Sequence, residues 1–229
     1  MSARRDVSRR WPVRLYAWAA ERLYYEFAWA YDAVSWLVSL GHWAGWRRMA
    51  LEYVDGHRIL EIGFGTGELL IEMARRSLSA CGLERSPAMQ RVTARKMRRR
   101  GVRAPRVRGE VQRAPFADGC FDSIVSTFPS PYILDPVTLR ETARLLRPPH
   151  PGQATGGGRL VVVGMVLDTD SRFLRRVMGF IFGGDGESVL AHYKRIATAA
   201  GLRVTVTVRS GRGLSRHARI PVVIAEKQA

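Results

Sequence analysis

Residues 59–70 read ILEIGFGTGELL, and they constrain the fold more than any other stretch of the chain. An apolar run ends in Glu61-x-Gly63-x-Gly65-x-Gly67 and passes at once into Glu68-Leu69-Leu70, where a helical pattern begins. Glycines at alternate positions let the backbone turn sharply and admit a ligand where a Cβ would stand in the way. The helix that follows presents free N–H groups at its first turn. A strand, a glycine turn and a helix in this order predict a parallel sheet with crossover helices.

The rest of the chain from Arg58 keeps that rhythm. Strands are expected at 58–62, 78–83, 105–109, 122–127, 159–166, 203–209 and 219–226, and helices near 68–76, 87–100, 136–147 and 187–200. Pro87 and Pro136 suit first helical turns, where a missing N–H is no loss. Gly201 suits the end of the last helix. The fold class expected is α/β: a Rossmann-like, seven-stranded, mostly parallel sheet with helices on both faces, plus an N-terminal helical segment. Residues 148–158 (PPHPGQATGGG) read as a flexible, functionally neutral loop.

The glycine turn does not match the dinucleotide fingerprint Gly-x-Gly-x-x-Gly. Counted from Gly63 the last position is Glu68, and counted from Gly65 it is Leu70. A glutamate at the helix start is also expected to repel a pyrophosphate. Both points favour a ligand without phosphates.

The chain resembles the class I S-adenosylmethionine-dependent methyltransferases over most of residues 20–226, on four motifs in order. EIGFGTG resembles the first, CGLERSPAM (81–89) the second, GEVQRAPFADGCFDSIVSTF (109–128) the third and fourth, and LLRPPHPGQATGGGRLVVV the approach to strand five. The resemblance implies S-adenosyl-L-methionine as cofactor. Glu84, 21 residues after Gly63, stands where a carboxylate at the end of strand two would accept from the ribose hydroxyls. Gly63, Gly65 and Gly67 would form the cradle, with Thr66, Arg85 and Thr127 at further contact positions. Glu110 and Val111 would lie along the adenine edge. Glu61 would orient the turn and approach the methionyl ammonium. No metal site and no catalytic residue is implied.

YDAVSWLVSLGHWAGWRRMALEYV (31–54) is similar to the helical start of the quinone-biosynthesis C-methyltransferases, which puts Tyr31 near the cofactor and the substrate. All six tryptophans fall within residues 11–54, which fits core packing, a lid over an apolar substrate, or a helix at a membrane surface. Residues 171–184 supply a second apolar segment, expected to cover the substrate. The domains expected are a disordered basic tail (1–10), a helical lid (11–54) and a cofactor-binding methyltransferase domain (55–229).

FPSPYI at the end of strand four comes close to the Ser-Pro-Pro-aromatic turn of enzymes that methylate exocyclic amines of nucleic-acid bases. Its spacing is wrong: Pro131 is followed by Tyr132, and Ile133 stands where the aromatic belongs. The turn is expected to form a rigid wall beside the substrate, with Tyr132 touching it. His42, His192, Tyr31, Tyr132 and Tyr193 are the conceivable bases, although methyl transfer by in-line displacement needs alignment more than it needs a base.

The formal net charge is +17, carried by 34 arginines and only three lysines. That surplus keeps polyanions in view as partners, and the run from Arg91 to Arg108 holds nine basic residues and no acid. Two cysteines outside any C-x-x-C pair suit a reducing cytosol. The uncharged stretch 33–46 is too short to span a bilayer, for which about 20 residues are needed. The expected activity is methyl transfer to a small or lipid-like acceptor, with a quinone precursor or phospholipid headgroup leading. The protein would be cytoplasmic, with peripheral membrane contact left open and nucleic acid disfavoured. An RNA methyltransferase and a non-catalytic cofactor-binding protein at a membrane surface are the alternatives.

Overall fold

The computed structural model of the chain describes residues 43–76, 78–152, 156–165, 186–211 and 218–229. Seven strands form one sheet: β1 (Arg58–Ile62), β2 (Ser79–Leu83), β3 (Arg106–Val107), β4 (Ser123–Thr127), β5 (Arg159–Val163), β6 (Leu202–Gly211) and β7 (Ala218–Lys227). Their order is β3-β2-β1-β4-β5-β7-β6, with β7 antiparallel to both neighbours and the other pairs parallel. The helices are α1 (Trp43–Arg48), α2 (Glu68–Arg75), α3 (Pro87–Arg99), α4 (Pro136–Leu145) and α5 (Gly186–Ala199). Three-residue and four-residue 3-10 turns add Met49–Glu52, Val111–Arg113 and Pro131–Leu134.

Local chemistry starts and stops these helices as expected. Ser86 accepts from the Met89 N–H (3.3 Å) ahead of Pro87, and Asp135 accepts from the Val137 N–H (2.9 Å) ahead of Pro136. Gly201 closes α5 in the left-handed region.

Alternation along the strands divides the core in two. Leu60 and Ile62 face a cluster with Leu139, Ala143, Tyr193 and Ile196 of α4 and α5. Ile59 faces the other cluster, with Trp46 of α1 and Leu70, Ile71 and Met73 of α2. Trp46 and Ala50 are therefore core residues, so the described end of the aromatic segment packs on the sheet. The expected tail, most of the expected lid and the apolar segment 171–184 lie outside the described residues.

One expectation is corrected. The end of the 148–158 loop is tightly built, because a Cβ on Gly157 would meet the Lys227 carbonyl oxygen at 2.5 Å and one on Gly158 would meet backbone atoms at 3.0 Å. Gly158 in turn accepts from the Lys227 N–H at 2.9 Å. Those glycines are fixed by the closeness of β7, a neighbour the local sequence does not reveal.

Candidate functional site

The strand order reverses between β1 and β4, and in open α/β sheets the crevice beyond the carboxyl ends of such strands is where ligands bind. The glycine turn follows β1 at that point. Gly63, Gly65 and Gly67 all have positive φ, at 66°, 54° and 75°. The Gly63 N–H donates to the Leu83 carbonyl at 2.7 Å, and the Gly67 N–H to the Phe64 carbonyl at 2.9 Å.

The three glycines have different surroundings. A Cβ on Gly63 would come within 2.7 Å of the Tyr132 hydroxyl, and one on Gly67 would collide with Thr93 of α3. At Gly65 a Cβ would meet nothing within 4 Å. The turn is thus closed by protein on two sides and open at its middle residue.

Glu84, directly after β2, is nearly fully buried and braces that open residue. Its Oε2 accepts from the Gly65 N–H (3.1 Å) and its Oε1 from the Ser86 N–H (2.8 Å). The two positions singled out 19 residues apart therefore meet directly. Arg85 and Glu110 also meet, as an exposed ion pair at 3.6 Å, while Val111 turns into the core. Thr66 is buried in the turn, and Thr127, at the end of β4, is half-buried opposite Val163 of β5. Tyr31 lies outside the described residues.

Glu61 projects from β1 beneath the turn and is 2% exposed. Burial is the main cause that pushes its carboxyl up to about 8, and the negative charge of Glu84 adds to it. Arg47 of α1 and a hydrogen bond from the Leu70 N–H offset part of this rise. Its Oε2 has no hydrogen-bond partner. Its interaction with the Leu70 N–H links β1 to the first turn of α2.

Tyr132, expected to form a wall beside the substrate at the end of β4, has its hydroxyl engaged inward. It lies 2.8 Å from the Ser126 hydroxyl and donates to the Ile62 carbonyl at 3.2 Å. Burial raises its phenol above the ordinary tyrosine value, against a hydrogen bond from Ser126 that lowers it. The PSPY turn thus clamps the end of β1 to β4. Tyr193 is buried in the α5 face of the core and His192 contacts Arg195 on the same helix at 3.0 Å, so neither reaches the glycine turn as a base. His42 lies outside the described residues.

Glu68 requires a further correction. Its carboxylate is held by Lys96 (2.8 Å) and Arg100 (2.8 and 2.9 Å). Burial alone would raise its carboxyl, but those bonds outweigh burial and hold it at about 2. The charge expected to repel a pyrophosphate is neutralised, so the case against a dinucleotide rests on glycine spacing alone.

Three contributors escaped sequence reasoning. Thr93 donates to the Gly65 carbonyl at 3.0 Å. Phe128 sits just past β4 with φ of 48°, its N–H bonded to the Val163 carbonyl at 2.7 Å and its ring 6.2 Å from that of Trp46. Gly164 supplies the space for that ring, which a Cβ would enter. The glycine just past a strand was the only available signal. A separate groove of about 370 Å³ is lined by Pro136, Arg140, His192, Arg195 and Ile196 between α4 and α5, and includes no residue of the glycine turn.

Residues 59–149 match the family described as "Methyltransferase domain". A demethylmenaquinone methyltransferase of Mycolicibacterium gilvum is 31% identical over 147 residues, which is 62% of this chain and 58% of that protein. The chain thus spans less than two thirds of such a relative. The YcgJ protein of Bacillus subtilis has the same fold with a TM-score of 0.60 at 16% identity, covering 82% of this chain and 99% of that one. So does phosphoethanolamine N-methyltransferase 2 of Haemonchus contortus, solved with S-adenosyl-L-methionine, with a TM-score of 0.60 at 15% identity over 82% and 53% of the two chains.

Proposed function

We propose that this chain, whose residues 59–149 carry a methyltransferase domain on the sheet of the class I S-adenosylmethionine-dependent enzymes, transfers a methyl group to a small or lipid-like acceptor. A quinone precursor or a phospholipid headgroup leads. The observation that carries this reading is the pairing of an open Gly65 with the Glu84 carboxylate at the strand-order reversal. Similarity to demethylmenaquinone methyltransferases supports the acceptor class.

The residues present fit S-adenosyl-L-methionine. Gly65 leaves a cradle that a Cβ would fill, and two buried acidic side chains, Glu61 and Glu84, flank the turn. When bound, that cofactor supplies an electrophilic methyl group on a sulfonium sulfur. Glu84 would hold the ribose hydroxyls, and the exposed Arg85–Glu110 pair with Val111 would border the adenine. Thr66 and Thr127 would line the cradle, and Glu61 would lie toward the methionyl ammonium. The chain's contribution is alignment and exclusion of water, with no dedicated base. Phe128 and Trp46 form the apolar border next to the end of β4, on the side where an acceptor would approach.

We further place the protein in the cytoplasm in peripheral contact with anionic lipid. No helix of the described residues is long and apolar enough to cross a membrane. Arg91, Arg95, Arg98 and Arg99 stand exposed along α3, whereas Lys96 and Arg100 turn to Glu68. A cationic ridge suits a lipid-soluble acceptor drawn from a bilayer.

The deciding experiment supplies methyl-labelled S-adenosylmethionine to the protein with extracts of its source cell. Label in the organic-soluble fraction supports this reading. Label in nucleic acid would overturn it in favour of an RNA substrate, with the same arginines as the binding surface. Cofactor binding with no label in any fraction would favour a non-catalytic role.

A further inference from the structure

Glu61 is an unusual acid to find beneath a ligand cradle. It is 2% exposed, its Oε2 lacks any hydrogen-bond partner, and a second buried carboxylate, Glu84, is its electrostatic neighbour. The two acids are not equivalent. Glu84 has an N–H donor on each oxygen, from Gly65 and Ser86. Glu61 has the Leu70 N–H on one side and nothing on the other.

Among the described residues, few groups face Glu61. From α1 comes Arg47, from the end of β2 Glu84, from α2 the Leu70 N–H, and from the Pro131–Leu134 turn the Tyr132 phenol, whose own ionisation both acids oppose. Arg47 is the single charge among them that favours a Glu61 carboxylate, and it makes no ion pair with Glu61 within 4 Å among the described residues. A buried carboxyl in such company keeps its proton at neutral pH.

We infer that Glu61 is a proton-carrying counter-ion: it stands neutral beneath the empty cradle and gives its proton to solvent when a cationic cofactor settles there. The inference rests on the reading of the glycine turn as the S-adenosylmethionine site. The exchange is balanced in charge. A neutral carboxyl and a cofactor of net positive charge become a carboxylate beside that cofactor plus a hydrated proton, with no bond to the cofactor made or broken. The gain is that the cradle carries no unpaired buried charge before the cofactor arrives, and a matched one afterwards. Neutral or anionic ligands of similar shape would not displace the proton, so the device favours a cation.

Isothermal titration calorimetry tests this directly. S-Adenosylmethionine is titrated into the wild-type protein at pH 6.8, in buffers of low and high ionisation enthalpy (phosphate and imidazole). The cofactor's α-amine, with a pKa of roughly 7.7–8.0, stays charged at that pH. Expected is the release of between about half and one proton per cofactor bound, with affinity rising about three- to tenfold per unit between pH 6 and 7. Glu61→Gln should bind without releasing a proton and with affinity flat across that range.

Binding by the wild type with no buffer-dependent heat and no pH dependence overturns the inference and leaves the cofactor site standing. The same holds if Glu61→Gln releases as many protons as the wild type. Failure of the wild type to bind at all would overturn the cofactor-site reading and the inference with it. The wild-type measurement decides even if the variant folds poorly.

Discussion

The hydroxyl of Thr93 donates to the carbonyl oxygen of Gly65 at 3.0 Å, while its methyl fills the space a side chain at position 67 would need. One residue in the middle of α3 therefore sets the shape of a turn 28 residues earlier in the chain. With Glu84 holding the Gly65 N–H, both polar groups of that peptide flank are pinned, and only the Cα side faces open space.

Thr93→Val keeps the methyl and removes the hydroxyl. It should cost about 0.5–1.5 kcal/mol in urea unfolding and weaken cofactor binding several-fold, since the Gly65 carbonyl loses its partner. Thr93→Ser should retain most of the affinity. Equal affinity for wild type and Thr93→Val would remove Thr93 from the site.

Glu84→Ala should weaken S-adenosylmethionine binding by about 1.5–3 kcal/mol, the range for hydrogen bonds to a charged group. It should also lower the melting temperature, because the Gly65 and Ser86 N–H groups lose their acceptor. An unchanged affinity by calorimetry would refute contact with the ribose.

Stability should depend on pH through Glu61. Its carboxyl ionises near 4.5 in an unfolded chain and at about 8 in the folded one. The folded state therefore holds the proton more tightly, and wild-type stability declines as pH rises from 4.5 toward 8, then levels off. Glu61→Gln removes that decline. The variant should match the wild type near pH 4.5 and exceed it by at least about 1 kcal/mol at pH 8. Parallel stability–pH curves for the two proteins in denaturant melts would contradict the burial-driven shift.

Tyr132→Phe should lower stability by about 1 kcal/mol through loss of the bonds to Ser126 and Ile62. Because burial keeps the phenol neutral, the variant's dependence of turnover on pH between 7 and 9 should parallel the wild type's. A lost basic limb in that profile would make Tyr132 a base after all.

Tyr193→Phe should leave stability unchanged or raise it by up to about 1 kcal/mol, since the hydroxyl is buried without a partner. A loss beyond about 1 kcal/mol in thermal melts would reveal a bridging water.

Much of this could be read from the chain because it is written locally. The strand into EIGFGTG, Pro87 and Pro136 at helix starts and Gly201 at a helix end depend on residues a few positions apart. The acid at the end of strand two was legible for the same reason, as an offset along one βαβ unit. The sequence by itself therefore determined the order of elements, the turn and the identity of its nearest acid.

Only the packing of distant elements decided the rest. Whether Glu68 repels an anion depended on Lys96 of α3 and Arg100 just past its end. Whether Gly157 and Gly158 were loose depended on β7 lying against them. The ring of Phe128, which has a positive φ, fits because Gly164, just past β5, makes room for it. The sequence marked Glu61 as an acid beside the turn, but the missing partner of its Oε2 is a property of the space between α1, α2 and the sheet. Charge compensation and steric room are set by which side chains meet across the fold, and the order of residues along one segment does not contain that.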